Sequence, residues 1–162
     1  MAQIDYEDYL MRDGALITII PAISAAIYAD GDVLFVPKQL TDVARDTKGL
    51  ATLRTLLVLD KADQKQAIDL LFFSRDPGDI GAANAPLAMS DAEAEFLLAH
   101  VRIAAGDYVS GNANAYATKQ LELLMGCEQA KTDLWVAGVV RSGTPTYGSV
   151  DNLTFKFLWE RL

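Results

Sequence analysis

The two residue types that most often perform chemistry in proteins each occur once in this sequence. Among the 162 residues there is one histidine, His100, and one cysteine, Cys127. A nucleophilic site needs a base that a third group orients, and a structural zinc site needs four clustered ligands. These two residues supply neither arrangement. We therefore expect His100 to be a hydrogen-bonded structural residue and Cys127 to be a small, partly buried side chain in a turn.

Other catalytic or metal-binding motifs are absent or weak. The sequence has no phosphate-binding loop, no dinucleotide-binding glycine pattern and no nucleophile elbow. Calcium needs six to eight oxygen ligands, and the paired aspartates do not follow the spacing of a known calcium loop. We interpret them as turn residues, although a calcium-dependent glycan hydrolase stays open as a hypothesis. The pairs are Asp30 with Asp32, Asp60 with Asp63, and Asp76 with Asp79. The prediction is no enzyme, no catalytic residue, no metal and no cofactor.

The charge of the chain argues against two classes of partner. The formal net charge is -8 at pH 7. An acidic protein repels the phosphates of nucleic acids and the anionic surfaces of membranes, so neither is expected as a partner. The first thirteen residues carry four acidic residues and one basic residue, Arg12, and therefore do not resemble the basic start of a signal peptide. No apolar run approaches the roughly 20 residues of a membrane span. We expect a protein that is made and kept in a cytoplasm.

The pattern of apolar and turn residues predicts an all-β fold. Strand-like segments recur at short intervals between Gly, Pro and Asp turns, as in an antiparallel β-sandwich. One short helix of about two turns is expected to begin at the capping box Ser90-Asp91-Ala92-Glu93, after a long loop over residues 76–89. We predict one domain, residues 14–162, after an extended N-terminal arm, residues 1–13. The eight predicted strands are 15–20, 31–36, 50–60, 67–74, 101–105, 116–126, 134–141 and 153–160.

Some predicted strands are apolar on one face and others on both. Residues 153–160 alternate, with Phe155, Phe157 and Trp159 on the core side. Residues 68–73 and 134–140 are apolar on both sides, whereas a two-layer sandwich buries only one face of each sheet. Their second faces need a cover, which is either a neighbouring subunit or the long loop together with the helix.

Exposed aromatic residues could stack on sugars, and five aromatic residues are candidates for this role. Trp159 lies on the core side of its strand and is expected to be interior. Tyr147 lies in the loop of residues 143–148 and is the best candidate for an exposed platform. The five are Tyr108, Tyr116, Trp135, Tyr147 and Trp159.

Several short stretches match, in order, one known group of proteins. They are residues 134–147 (LWVAGVVRSGTPTY), 28–33 (YADGDV), 58–73 (VLDKADQKQAIDLLFF), 90–92 (SDA) and 106–109 (GDYV). Together they resemble small structural proteins of tailed bacteriophages, many of them marine. The first stretch departs from the pattern, because Ser142 stands between the arginine and Gly143.

The resemblance implies a virion protein with a jelly-roll-like sandwich. Such proteins decorate or cement the capsid by contacts with the major capsid protein, often as homotrimers. This implies a location on the capsid surface after assembly in the host cytoplasm. The alternative is a tail or baseplate component that binds glycan on the host surface. The expected partner-contact residues lie in the arm and in the loop after residue 142: Tyr6, Tyr9, Thr144, Pro145, Thr146 and Tyr147.

Overall fold

Two antiparallel sheets form the fold in a computed structural model, which describes residues 14–47 and 49–162. Within these residues there are nine strands, one single-turn α-helix and one 3-10 turn, Ala105–Asp107. In chain order the elements are β1 (Gly14–Ile19), β2 (Val33–Leu40), β3 (Leu50–Asp60), β4 (Ile68–Phe73), α1 (Asp91–Ala94), β5 (Leu97–Ile103), β6 (Tyr108–Ser110), β7 (Ala115–Gly126), β8 (Leu134–Val140) and β9 (Leu153–Arg161). The predicted arm, residues 1–13, lies outside the described residues.

The strand order is that of a jelly roll. One sheet has the order β1-β9-β3-β7-β6 and the other has the order β2-β8-β4-β5. Strand β1 pairs with β9, β2 with β8, β3 with β7 and β4 with β5. The chain therefore behaves as one long hairpin whose successive strand pairs enter the two sheets alternately, as in a double Greek key. The predicted all-β, jelly-roll-like sandwich is confirmed.

The core between the sheets follows from the alternation along β9. Phe155, Phe157 and Trp159 are buried, while Lys156 and Leu158 between them are exposed. The ring of Phe72 on β4 meets Phe157 edge-on, with centroids 5.8 Å apart at 86°. Aromatic edge-to-face contacts of this kind add to the free energy gained by burial. Trp159 is interior, as its position in the pattern predicts.

The helix prediction is correct in place and too long in extent. Ser90 accepts a hydrogen bond from the amide of Glu93, and the carboxylate of Glu93 accepts one from the amide of Ser90. This is the predicted capping box. The helix nevertheless ends at Ala94 after one turn, because the chain pairs with β4 from Leu97 onward. Pairing with a neighbouring strand overrides the weak local preference for a second turn.

Several strand predictions need correction. The strand expected at residues 101–105 covers Leu97–Ile103 instead, because the chain pairs with β4 from Leu97 onward. The second strand was expected to end at Pro37 but continues to Leu40. Strand β2 is an edge strand with register shifts around this proline, so the missing amide costs no hydrogen bond inside the sheet. Strand β6 was not among the predicted strands, since three residues are too few for a periodic signal.

The second apolar face of the four-stranded sheet is covered by the chain itself. Leu71 and Phe73 on β4 and Ala137 and Val139 on β8 form a second buried cluster with Ile80 from the long loop. The residues that pack around this cluster come mostly from the loop and the turn after it: Leu87, Met89, Phe96, Leu97 and Trp135. Of the two covers that the sequence left open, the long loop is the one found over β4 and β8, and a neighbouring subunit is not needed there.

The outward face of the five-stranded sheet has a different character. It carries exposed apolar side chains on three strands, namely Leu16 on β1, Leu158 on β9, and Tyr116 and Leu124 on β7. Threonines and the ion pairs of Arg54 with Glu122 and Glu160 lie among them. The two broad faces of the sandwich are thus chemically unlike each other.

Candidate functional site

The predicted contact loop connects β8 to β9 and is held at several points. Its backbone turns through two left-handed residues, Ser142 at φ 58° and Gly143 at φ 79°. The amide of Tyr28 donates to the carbonyl of Pro145 at 3.0 Å, and the amide of Thr146 donates to Oε1 of Gln64 at 3.2 Å. These bonds hold the loop against the two connections that contain Tyr28 and Gln64. The loop therefore has a defined conformation at the surface.

The four predicted contact residues of this loop alternate between interior and solvent. Pro145 and Tyr147 are buried, whereas Thr144 and Thr146 are exposed. Tyr147 is 0% exposed and its ring meets Tyr28 edge-on at 6.2 Å. The expectation that Tyr147 is the best candidate for an exposed sugar-stacking ring is wrong. Burial of its ring against Tyr28 gains more free energy than hydration of its single hydroxyl would. Only the two threonines present side chains to a partner.

The environment of Tyr147 keeps its phenol neutral. Burial raises the pKa of Tyr147 most, and the nearby carboxylate of Asp60 raises it further. Burial likewise raises the pKa of Tyr108 in the same region. Asp60 is itself fully buried, and its two oxygens accept from the amides of Ala62 and Lys65 at 2.9 Å each. The hydrogen bonds to Asp60 thereby hold the turn that follows β3.

Gly14, where the described chain begins, and the contact loop lie at opposite ends of the sandwich. Gly14 pairs with Glu160 near the end of β9, whereas the loop leads into Leu153 at its start. Seven residues separate these points, or about 23 Å at roughly 3.3 Å per residue. We call these the arm end and the loop end. Tyr6 and Tyr9 lie outside the described residues, and the described chain begins at the arm end, away from the loop that carries Thr144.

A cluster of charged side chains surrounds Asp69 on β4. The carboxylate is 3% exposed and lies against His100 and Arg102 of β5 and against Arg141, which follows β8. Arg102 on β5 donates to both oxygens, at 2.7 and 2.9 Å. Arg141, directly after β8, donates from Nε at 2.5 Å, and Nε2 of His100 lies 2.9 Å from Oδ1. One carboxylate thus joins three neighbouring parts of the four-stranded sheet.

The cluster fits a structural role. Burial would raise the pKa of Asp69, but the hydrogen bonds from Arg102, Arg141 and His100 outweigh it and hold that pKa well below its ordinary value. A carboxylate held ionised in this way is a poor general base. His100 is therefore a hydrogen-bonded residue of the sheet, in agreement with the interpretation from sequence.

Sequence reasoning missed the cluster around Asp69, although one signal was present. Asp69 is the single charged residue in the apolar segment Ile68–Phe73. A charge on a buried strand requires partners, so this residue marked a place where cations should gather. Their identity could not be read from the sequence, because Arg102 and Arg141 come from segments 33 and 72 residues away.

The aspartate pairs form turns. Asp76 accepts from the amide of Gly78 and Asp79 from the amide of Gly81, each at 2.9 Å. Asp32 accepts from the amide of Ala29, and Asp30 accepts from the amide of Ser142. The bonds of Asp32, Asp76 and Asp79 are the local ones that aspartate makes in turns, whereas the bond of Asp30 joins its turn to the loop at Ser142, 112 residues later. Over residues 14–47 and 49–162, no group of three or more His, Cys, Asp or Glu side chains could hold a metal ion.

Few of the candidate sugar-stacking residues are available at the surface. Tyr108, Tyr147 and Trp159 are buried. Tyr116 is 42% exposed on β7, and Trp135 is half-buried against the second cluster. The aromatic residues therefore do not form a continuous platform in the part of the chain that the structure describes.

Cys127 should react slowly with alkylating reagents. Burial and the nearby Asp133 raise the pKa of its thiol to about 11 from an ordinary 9.0. Since the thiolate is the reactive form, its fraction at pH 8 falls by about 100-fold. We expect iodoacetamide to modify the folded chain about 100 times more slowly than the urea-unfolded chain, with a rate that still rises above pH 10. Mass spectrometry measures this, and equal rates in the two states would contradict the buried environment.

Comparisons with known proteins identify no family. No family model matches the chain. No curated protein matches it either. No α-helix among the described residues has the length and apolar character needed to cross a membrane.

Solved structures of virus particles share the fold loosely. "Sacbrood virus of honeybee - expansion state I" is 10% identical with a TM-score of 0.38, over 93% of this chain and 85% of that chain. "Native virion of Kashmir bee virus at neutral pH" is 12% identical with a TM-score of 0.32, over 98% and 78%. The VP2 subviral particle of infectious bursal disease virus is 13% identical with a TM-score of 0.34, over 92% and 37%. Superpositions at this level carry no argument about function.

Proposed function

We propose that this protein is a structural component of a bacteriophage virion and that it decorates the capsid. Its role would be mechanical, since it would bridge neighbouring capsid subunits and stabilise the head by burying surface between them. The partner would be the major capsid protein. The protein would act as a homo-oligomer, with three copies as the expected number, on the outer surface of the particle.

One observation carries the proposal, namely the jelly-roll strand order in a chain whose sequence motifs resemble phage structural proteins. Jelly rolls occur in viral capsids, lectins and cupins, so the fold alone does not choose among them. A cupin metal centre draws on several histidines, and this chain has one. The buried positions of Tyr147 and Trp159 weaken a lectin-like platform. A structural role in assembly agrees best with these residues.

The loop end offers the better-defined capsid contact. Thr144 and Thr146 are exposed there on a backbone fixed by Tyr28 and Gln64. A loop that is already ordered loses little conformational entropy when it binds. Pro145 and Tyr147 support the loop from inside. Tyr6 and Tyr9 remain proposed contact residues, and their attachment at the arm end suits a different neighbour.

The double variant Thr144→Glu, Thr146→Glu tests this contact. Two new charges in a buried interface should weaken binding to expanded capsids at least tenfold, because each must be desolvated without a partner. Sedimentation with capsids and quantification of the bound fraction would measure the effect. The double variant Thr41→Glu, Thr47→Glu is the matched control, since both threonines are exposed and Thr41 follows β2 at the arm end. Equal binding by the two double variants would overturn the loop assignment.

Location in the virion separates the capsid role from the tail or baseplate alternative. Gold-labelled antibody against this protein should mark the heads of intact particles. Labelling confined to the tail would replace the capsid proposal with the alternative, in which the protein binds glycan on the host surface. Glycan binding that depends on the exposed Tyr116 would support that second outcome.

A further inference from the structure

An open cavity of about 390 Å³ lies at the arm end, beside the four-stranded sheet. Its lining comes from points where strands of that sheet begin or end. Gln39 on β2 is paired with Trp135 on β8, and Ser74 directly follows the last residue of β4. The volume falls within the roughly 300–1,000 Å³ of small-molecule sites in proteins. The proposed loop contact lies at the opposite end of the sandwich and does not use this cavity.

Trp135 gives the cavity one aromatic wall. Its indole packs in part against the second buried cluster, where Phe73 on β4 is its pairing partner. The side chain is half-buried, and the part that the cluster does not cover lines the cavity. The face of an aromatic ring carries negative charge, so it attracts the weakly positive C–H groups on one side of a sugar ring.

Several polar side chains around the indole are held in place by bonds to one another. Nε2 of Gln39 donates to Oδ2 of Asp133 at 2.7 Å, and Oδ1 of Asp133 accepts from a backbone amide at 2.9 Å. The guanidinium of Arg75 donates to Glu128 at 3.3 Å and lies over the ring of Phe96, 4.2 Å from its centroid. Groups that are already positioned in this way lose little conformational entropy when a ligand binds.

Two further polar groups at the cavity are free to bind a ligand. Oγ of Ser74 and Nζ of Lys131 have no hydrogen-bond partner among the residues that the structure describes. The cavity therefore combines available donors with the carboxylate and amide oxygens of its other side chains. A sugar hydroxyl both donates and accepts, so it needs this mixture of groups around it.

The charges at the cavity favour a neutral ligand. Two cations, Arg75 and Lys131, stand beside the three carboxylates of Asp76, Glu128 and Asp133, which leaves one excess negative charge. Phosphates and other anions are disfavoured by this excess. The carboxylates are not grouped closely enough to hold a metal ion within the described part of the chain. A neutral molecule rich in hydroxyl groups fits these charges best.

We infer that this cavity binds a single neutral sugar ring, which stacks on Trp135 and places its hydroxyls against the polar side chains around it. The same chemistry suits a free sugar and one residue of a longer glycan, because the cavity is open to solvent. A sugar ring has about a dozen non-hydrogen atoms, so a dissociation constant on the order of 1 mM is expected. The inference goes beyond the capsid role and does not depend on it.

Tryptophan fluorescence of the purified chain tests the site. The chain has two tryptophans and Trp159 is 1% exposed, so quenching by acrylamide reports mainly on Trp135. The probes are the methyl glycosides of glucose, galactose, mannose and N-acetylglucosamine, each titrated to about 50 mM. At least one should protect Trp135 from quenching, with half-saturation on the order of 1 mM. No protection by any of the four would overturn the inference, as would equal protection by the linear polyol sorbitol.

A trisaccharide of the sugar that binds most tightly separates the two sources of the ligand. Binding at least tenfold tighter than that of the methyl glycoside would identify a glycan chain, because further sugar rings then contact the protein outside the cavity. Equal binding would identify a single free sugar. Either result requires the Trp135 signal and therefore supports the site.

A double variant with a matched control locates the binding. Ser74→Ala, Lys131→Ala should raise the dissociation constant at least tenfold, because sugar hydroxyls would lose their partners in the cavity. Ser110→Ala, Lys156→Ala is the control, since both side chains are exposed on the five-stranded sheet and should not contact the sugar. Equal affinity of the two double variants would place the binding elsewhere and overturn the inference. Capsid binding should be unchanged in both, so the two proposals fail separately.

Trp135→Leu tests the stacking ring itself. Leucine keeps an apolar side chain against the second cluster but offers no aromatic face to the sugar. NMR saturation transfer from the protein to the protons of the sugar ring should fall at least tenfold, and undiminished transfer would contradict stacking on Trp135. Circular dichroism verifies the fold of this variant, and the double variant of Ser74 and Lys131 carries the test if the fold is lost.

Discussion

Asp69→Asn should lower the free energy of unfolding by about 2 kcal/mol at pH 7, because it weakens hydrogen bonds from two arginines whose guanidinium groups stay partly solvated. The carboxylate is 3% exposed and receives hydrogen bonds from Arg102 and Arg141. An amide cannot balance two guanidinium groups, which would then sit at the sheet without a counter-charge. Urea unfolding monitored by circular dichroism measures the difference.

The pH dependence of that difference has a definite sign. The folded-state pKa of Asp69 lies below its value in the unfolded chain. Its contribution is therefore fully present above about pH 4 and is lost as the pH falls through the folded-state pKa. The gap between the wild-type chain and Asp69→Asn should shrink below pH 4. Glu122→Gln is the control, since Glu122 pairs with Arg54 at an 84% exposed position and should have no measurable effect. A gap that stays constant down to pH 2 would contradict this account of Asp69.

Gly138→Ala should destabilise the fold by about 2–3 kcal/mol through overpacking. Gly138 lies on β8, where an added Cβ would collide with the ring of Phe35, including its Cδ1 at 2.7 Å. That ring is fully buried and tilted against Phe155 at 5.3 Å, so it cannot move aside freely. Thermal unfolding of the variant should show the loss.

A second substitution distinguishes this collision from a general effect on the strand. Phe35→Leu in the Gly138→Ala background should recover part of the loss, since it removes the ring edge that collides. Gly148→Ala is the matched control, because no atom lies within 4 Å of its added Cβ. If Gly138→Ala and Gly148→Ala were equally stable, the packing of Phe35 on β8 would be wrong.

The fold class could be predicted because its signals are local. Alternation along 153–160 determined which face of β9 is buried, and the capping box at Ser90 determined where α1 begins. The continuation of β2 through Pro37 could not be predicted, because it depends on β2 being an edge strand, which is a property of the whole sheet. Strand β6 could not be predicted because its three residues are too few to give a periodic signal.

The candidate site was predicted less well, because exposure is a tertiary property. Loop position suggested that Tyr147 faces solvent, but its ring packs on Tyr28, which is 119 residues earlier in the chain. Thr144 and Thr146 are exposed as a contact role requires. One charge in an apolar strand indicated that Asp69 needs partners. Its three partners become neighbours only through the pairing of β4 with β5 and β8.

The long loop that covers the four-stranded sheet also makes the two broad sides of the molecule different from each other. One broad face is closed by Ile80, Leu87 and Met89, while the other keeps Leu16, Leu158 and Tyr116 in contact with water. The two sides of the sandwich can therefore meet neighbours of different chemistry. An apolar surface is available on the side of Leu16, Leu158 and Tyr116, whereas the other side has already buried its apolar residues within the same chain.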